Sequence, residues 1–363
     1  MSFIINRLIV IVLLTSVASS GCSRKSYLLE SSGRPKNVIL IIGDGMGLAH
    51  LYAGMSSSKK ELNVAKSKYI GISLTYSDDD YTTDSGASGT AMATGVKTRN
   101  GMIGMRPDSS IVPNLIELAH RQDLAGGVVS TSSVVHATPA SFVAHSTDRN
   151  HYDDIALGYL KTKPEVFIGG GYRNFALRAD SLNLIRELEE AGYQVVLTEE
   201  ELIGADAAKL AGLLADEHLP KMSEGRGDML SYSAIKAIET LNKNEKGFFL
   251  MIEASQIDWA AHDHDTRYLT EEVLDMDRTV GVVLDFAERN GETLVIVTAD
   301  HETGGMTLPS GNREELSVNA TYTTIGHTGI PVPVYSFGPG ADQFTGFFEN
   351  TDIFKKIKDL LKL

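Results

Sequence analysis

The chain has 363 residues, 42% of them hydrophobic and 22% charged, with a formal net charge of −14. That is enough apolar material for one large core with insertions, and the acidic balance excludes nonspecific nucleic-acid binding, which needs a basic face. The only cysteine is Cys22, so an internal disulfide is excluded as well.

The first segment reads as a targeting signal. Arg7 gives a thin positive start, 8–17 is an apolar run too short to span a bilayer, and Ala18-Ser19-Ser20-Gly21 leads to Cys22. The Gly21-Cys22 junction resembles a bacterial lipoprotein cleavage site, with Ser19 where that pattern prefers Leu. Cys22 would then be the lipidated first mature residue. Ordinary signal cleavage near Gly21, leaving Cys22 as a chance thiol, is the alternative. Either way residues 1–21 are a signal peptide and the protein is exported, periplasmic or anchored to a membrane by lipid. Residues 22–36 are polar, contain Gly33 and Pro35, and read as a tether; 37–363 reads as one domain.

Short β-rich apolar runs then alternate with helical patterns. Strands are predicted at 37–42, 127–131, 165–168, 194–197, 248–252, 293–298 and 334–337, and helices near 113–122, 181–191, 228–242, 268–290 and 351–361. This alternation predicts an α/β fold with a doubly wound, mostly parallel sheet and helices on both faces. Residues 199–225 are polar and helix-prone, an insertion or the path to a crossover. Residues 303–326 are a Gly- and Thr-containing loop that returns His327 towards Asp300.

Seven metal-type ligands fall into three clusters along these elements. Asp44 lies in Gly43-Asp44-Gly45-Met46-Gly47, where glycine permits tight turns and close backbone approach. Alone it could equally cap the next helix. Glu253, Asp258 and His262 follow a predicted strand, and the i, i+4 spacing of the last two puts both on one helical face, half of a tetrahedral zinc site. Asp300 and His301 end another predicted strand and would be costly to bury without a cation. His327 lies in Gly326-His327-Thr328-Gly329 and gains meaning only with the others; His264 reads as a bystander. Asp44, Glu253 and Asp300-His301 all fall at the carboxyl ends of predicted strands, where open α/β sheets build ligand sites.

Between the first two clusters lies Thr83-Asp84-Ser85-Gly86-Ala87-Ser88. A small-residue helix is predicted from Ser85, with Asp84-Ser85 as its cap-like start. A helix N-terminus suits a phosphate. Carboxylates and imidazoles mixed in this way suit zinc with a harder ion such as magnesium. A serine among them suggests a nucleophile activated by metal rather than by a histidine base.

With these stretches stand His136-Ala-Thr-Pro139, Ala144-His-Ser-Thr-Asp-Arg149 and Thr298-Ala-Asp-His-Glu-Thr-Gly-Gly305. Together, in order and over nearly all of the mature chain, they resemble the alkaline phosphatase family of zinc- and magnesium-dependent phosphomonoesterases. The resemblance implies Ser85 as nucleophile through a phosphoseryl intermediate, and Arg149 as a bidentate phosphate clamp oriented by Asp84. It implies one zinc on Asp258, His262 and His327, a second on Asp44, Asp300 and His301, and a magnesium on Asp44, Thr138 and Glu253. It makes 37–363 a single catalytic domain of broad specificity, active at alkaline pH on small phosphomonoesters, with a homodimer as an open expectation.

Two positions depart from the best-known bacterial pattern. His136 stands where that pattern has an Asp near the magnesium, leaving the third metal open: magnesium through a water, or a mixed site. Trp259 replaces a Lys beside the phosphate, which weakens phosphate retention. A metal-dependent phosphodiesterase is the nearest rival, disfavoured by an Arg149 that crowds a second ester substituent. A catalytically dead phosphate- or metal-binding lipoprotein is the rival from another class.

Overall fold

The computed structural model describes residues 33–363; the signal segment, Cys22 and residues 23–32 of the tether lie outside the described residues. In chain order the strands are β1 (Asn37–Gly43), β2 (Tyr69–Leu74), β3 (Ala125–Ser133), β4 (Val166–Gly170), β5 (Gln194–Val196), β6 (Leu210–Leu213) and β7 (Phe248–Ala254). They continue with β8 (Thr293–Thr298), β9 (Glu302–Thr303), β10 (Thr307–Asn312), β11 (Ser317–Thr321), β12 (His327–Thr328), β13 (Val332–Phe337) and β14 (Gly346–Glu349). Ten of them form one sheet in the order β14-β2-β13-β8-β1-β7-β3-β4-β6-β5. Every pairing in it is parallel except those of β13, which runs against both β2 and β8.

The central strands are apolar on both faces because helices cover both. In β1, Ile39 and Ile41 face one core while Val38, Leu40 and Ile42 face the other, all at 0% exposure. Each such side chain contributes roughly 1.5–3 kcal/mol on leaving water. The first face is packed by the helices Leu48–Ser56, Met229–Leu241, Gln256–His262 and Thr266–Asn290. The second is packed by Ser85–Thr94, Leu115–Arg121, Tyr152–Thr162, Leu184–Glu190 and Asn350–Leu361. Among the described residues no helix is long and apolar enough to cross a membrane.

The expected doubly wound α/β sheet is present, and its seven predicted strands appear with ends shifted by up to two residues. The 199–225 stretch is not only helical: it contains β6, which pairs with both β4 and β5. Its Leu-Ala-Gly-Leu sequence reads as helix-prone, but the small residues answer to packing. A Cβ on Gly212 would already lie 3.0 Å from the Ile168 side chain. The 303–326 segment is a β10–β11 hairpin rather than a plain loop. At its base β12 pairs antiparallel with β9, setting His327 opposite Thr303 and Thr328 opposite Glu302.

Candidate active site

The adjacent strands β8, β1, β7 and β3 deliver the site from their carboxyl ends. Asp44 follows β1, Glu253 lies within β7, Asp300 and His301 follow β8, and His136 follows β3. Asp258 and His262 lie on the short Gln256–His262 helix, and His327 is carried in by β12. Asp44 does not cap the helix after it; Gly47 holds that position. The turn at Gly45 has φ +69°, and an added Cβ would lie 2.7 Å from Thr303 Oγ1 and 2.8 Å from Asp258 Oδ1, so the approach requires glycine.

Each of the three clustered histidines is held by its Nδ1. His327 Nδ1 donates to Thr83 O at 2.9 Å, and His262 Nδ1 to Ile325 O. Thr303 Oγ1 donates to Asp258 Oδ1 at 2.5 Å, so its oxygen accepts from His301 Nδ1 at 3.2 Å. With the protons on Nδ1, all three Nε2 lone pairs point inward, the arrangement that metal-ligating histidines adopt. His262 Nε2 and His327 Nε2 stand 3.2 Å apart, and they lie 3.3 Å and 3.5 Å from the two Asp258 oxygens. His301 Nε2 lies 3.5 Å from Asp44 Oδ1 and 3.3 Å from Asp300 Oδ2.

Three sets of ligand atoms fall within 4.8 Å of one another: Asp258, His262 and His327; Asp44, Asp258 and His301; Asp44, His136 and Glu253. The buried atoms Asp44 Oδ1 and Oδ2, Glu253 Oε1, Asp300 Oδ2, Thr138 Oγ1 and His136 Nδ1 have no hydrogen-bond partner. Buried polar atoms left in this state are costly, and bound cations would satisfy them. These residues therefore fit metal ions on their own chemistry.

The electrostatics agree. Burial, then the charges of Asp300, Asp258 and Glu253, raise the Asp44 carboxyl far above its usual range. Burial pushes Asp300 up to about 6, with Asp258 adding to it. Burial also raises Glu253, against the hydrogen bonds of Ser130 and Ser255. For Asp258, burial is outweighed by the His262 hydrogen bond and the neighbouring imidazoles, and its carboxyl is held below the usual range. The same hydrogen bond lifts His262 to about 9, so a proton competes with a metal for its lone pair.

Ser85 opens the Ser85–Thr94 helix as expected, and its Oγ lies 3.3 Å from His301 Nε2. Asp84 caps that helix by accepting from Ala87 N at 2.8 Å, and its other oxygen takes Gly101 N at 3.0 Å and Arg149 Nη1 at 2.8 Å. Arg149 Nη2 lies 3.4 Å from His136 Nε2. Thr138 is buried on the Ala137–Ser141 helix, and Trp259 is half-buried with its ring 6.1 Å from that of His136. All the residues singled out in the described chain thus converge, apart from His264, which bonds to Thr324 O at the rim.

Sequence reasoning missed four supporting side chains. Thr303 links Asp258 to His301, and Ser130 donates to Glu253 Oε2 at 2.5 Å. Buried His50 accepts from Gly47 N at 3.0 Å and donates to Thr303 O at 2.9 Å, tying the glycine turn to the segment after β8. His218 lies against Trp259. Only His50 carried a signal, its closeness to the glycine turn; hydroxyls and distant histidines carry none.

The family profile described as Alkaline phosphatase matches residues 35–316. Alkaline phosphatase 4 of Bacillus subtilis (strain 168) is 34% identical, with 89% of this chain and 89% of the relative covered. Streptomycin-6-phosphate phosphatase of Streptomyces griseus is 32% identical over 97% of this chain and 95% of its own. Among solved structures, the alkaline phosphatase of the Antarctic bacterium TAB5 superposes with a TM-score of 0.87 at 38% identity, covering 92% of this chain and 99% of that one. A histidine-to-aspartate mutant of the TAB5 enzyme, described with Mg bound in its M3 site, gives a TM-score of 0.86 at the same identity, with 92% and 99% covered.

Proposed function

This chain belongs to the alkaline phosphatase family and hydrolyses phosphate monoesters, and from that premise we propose how its residues divide the work. Ser85 is the nucleophile. Its Oγ bonds to phosphorus as the ester P–O bond breaks, the alcohol departs, and water then cleaves the phosphoseryl intermediate to release inorganic phosphate. The N-terminus of the Ser85–Thr94 helix favours the phosphate charge, and Arg149 donates two N–H groups to non-bridging oxygens while Asp84 fixes its plane.

The family is metal-dependent. Asp258, His262 and His327 would hold one zinc, Asp44, Asp300 and His301 a second, and Asp44, Thr138 and Glu253 a magnesium, with His136 at its edge leaving that ion's identity open. Bound cations supply charge that acidifies the serine and water and stabilises the attacking and leaving oxygens. Asp258 also lies within 4.8 Å of Asp44 and His301, so its carboxylate would add negative charge beside the second position. Activity rises at alkaline pH, because the attacking oxygens must lose protons. Specificity is broad, since the residues named here address the phosphate and not the leaving group.

The observation that carries this reading is Ser85 Oγ at 3.3 Å from a histidine whose lone pair faces two buried carboxylates. Purified protein should turn over a phosphomonoester faster than its diester, and Ser85→Ala should lose roughly a thousandfold or more of that rate. Faster turnover of the diester, or an active Ser85→Ala, would overturn it.

We also propose that 37–363 acts as one catalytic domain, in keeping with the single sheet that runs through it, and that residues 1–21 are a signal with Cys22 lipidated. Incorporation of a labelled fatty acid lost in Cys22→Ala checks the anchor. A homodimer is checked by mass in solution.

A further inference from the structure

Outside the groups already given roles, one side chain stands against two of them. His218 lies in the segment between β6 and the Met229–Leu241 helix. Its ring centroid is 4.7 Å from that of Trp259 and 5.7 Å from that of His136. The three rings meet nearly at right angles, at 76°, 86° and 89°, like the faces of a corner. Edge-to-face packing of this kind is the favoured geometry for aromatic rings.

The corner is built rather than incidental. Ser133 N donates to His218 Nδ1 at 3.0 Å, which fixes the ring and puts its proton on Nε2. Ser133 lies at the end of β3, and its carbonyl accepts from His136 N at 2.9 Å, so one residue holds both the His218 ring and the His136 backbone. The backbone around His218 is tied on two sides. Leu219 N donates to Thr131 O at 3.2 Å, and Leu219 O accepts from Gln256 Nε2 at 2.7 Å. Gln256 begins the helix that carries Trp259. At Gly170 an added Cβ would lie 1.9 Å from Glu217 O, so β4 presses on this segment with no room for a side chain.

We propose that His218 is a positioning residue for the phosphate pocket: held by Ser133, it braces the Trp259 indole and the His136 imidazole, and the latter stands 3.4 Å from Arg149 Nη2. The inference rests on the phosphatase reading for what the pocket binds. The bracing itself is a matter of ring packing. Where the family's best-known bacterial pattern uses a charge beside the phosphate, this chain uses a wall of rings whose placement has to be enforced from behind.

Trp259 is the chain's only tryptophan, so its fluorescence reports on the corner directly. In metal-loaded His218→Ala, without phosphate, the emission should shift to the red and the anisotropy should fall, as the indole gains water and freedom. The inhibition constant for inorganic phosphate and KM should each rise about three- to tenfold, the worth of one or two ring contacts, with kcat held or raised. General damage to the fold would instead lower kcat. His218→Phe restores a ring against Trp259 and should restore the parent emission maximum, a comparison that stands even where the alanine variant does not fold. His218→Ala with parental emission, anisotropy and phosphate inhibition would overturn the proposal, and so would His218→Phe lacking the parent's emission. A parent protein with no phosphomonoesterase activity would sink the functional reading while leaving the fluorescence comparison intact.

Discussion

Arg149 Nη1 stands 2.8 Å from Asp84 Oδ2, and Asp84 is also the residue that caps the helix beginning at Ser85. One carboxylate therefore aligns the guanidinium with the serine. Burial disfavours the Asp84 anion, but Arg149 and the Ala87 and Gly101 N–H groups outweigh it and hold its carboxyl below the usual range. Asp84→Asn should keep part of the cap and lose the charge. KM and the phosphate inhibition constant should rise about tenfold, as expected for losing a charge-assisted bond of about 1.5 kcal/mol. Asp84→Ala should add a stability loss of about 1 kcal/mol from the missing cap, read by thermal unfolding.

Removal of metal should cost stability as well as activity. Asp44, Glu253 and Asp300 are fully buried with carboxylate oxygens that have no partner, so ions bound only by the folded chain stabilise it by mass action. At a hundred times the dissociation constant that amounts to about 2.7 kcal/mol. Dialysis against a chelator should lower Tm by at least a few degrees, and zinc with magnesium should restore both Tm and activity. An unchanged Tm would contradict the metal assignment.

Thr303→Val removes the hydroxyl that joins Asp258 to His301 while keeping the side chain's shape. Zinc affinity should fall about 10- to 100-fold, the usual worth of a group that orients metal ligands. Competition with a coloured chelator measures it. Activity at saturating zinc should recover more than activity at low zinc.

The pairing of His145 and Glu117, at 3.1 Å, gives a pH signature away from the metals. Burial opposes the His145 cation, but the Glu117 hydrogen bond and the Gly104 carbonyl outweigh it and raise its pKa above 6.5. Glu117 is lowered from 4.5 although burial opposes that too. The histidine's contribution is full below its unfolded pKa and fades as pH rises through the raised one. The glutamate's is full above its unfolded pKa and fades as pH falls through the lowered one. The Tm difference between the parent and His145→Gln should be larger near pH 6 than near pH 9. An equal difference at both would show that the pair contributes no charge term.

Much of the site was legible because its ligands end strands, and strand ends announce themselves as apolar runs that stop. Asp44, Asp300 and His301 were found this way, and Asp258 and His262 by their helical spacing. The fold was legible where strands are long and β-branched, as in β1 and β8. It was not where packing demands small residues, as at Ala211 and Gly212 of β6, or where a four-residue, largely exposed strand forms the sheet edge, as in β14. The direction of β13 was also hidden, since its apolar run carries no sign of whether it lies parallel or antiparallel. Thr303, Ser130 and His218 stayed invisible for a different reason. A hydroxyl or a half-buried imidazole has no periodicity, and its role exists only once distant segments meet.

The two-residue ladder of β9 and β12 fastens His327 beside Thr303 irrespective of what the chain does between them. The base of the β10–β11 hairpin that fills this interval packs Leu308, Val318, Ala320 and Tyr322 on the core, and Ile325 beyond it holds His262, so only the exposed tip at 309–315 stands free of the clasp. Length and sequence can change at that tip at small cost to the ligand cluster, which marks it as the place where an evolving or engineered relative could acquire a cover, a partner-binding arm or a tag without rebuilding its chemistry.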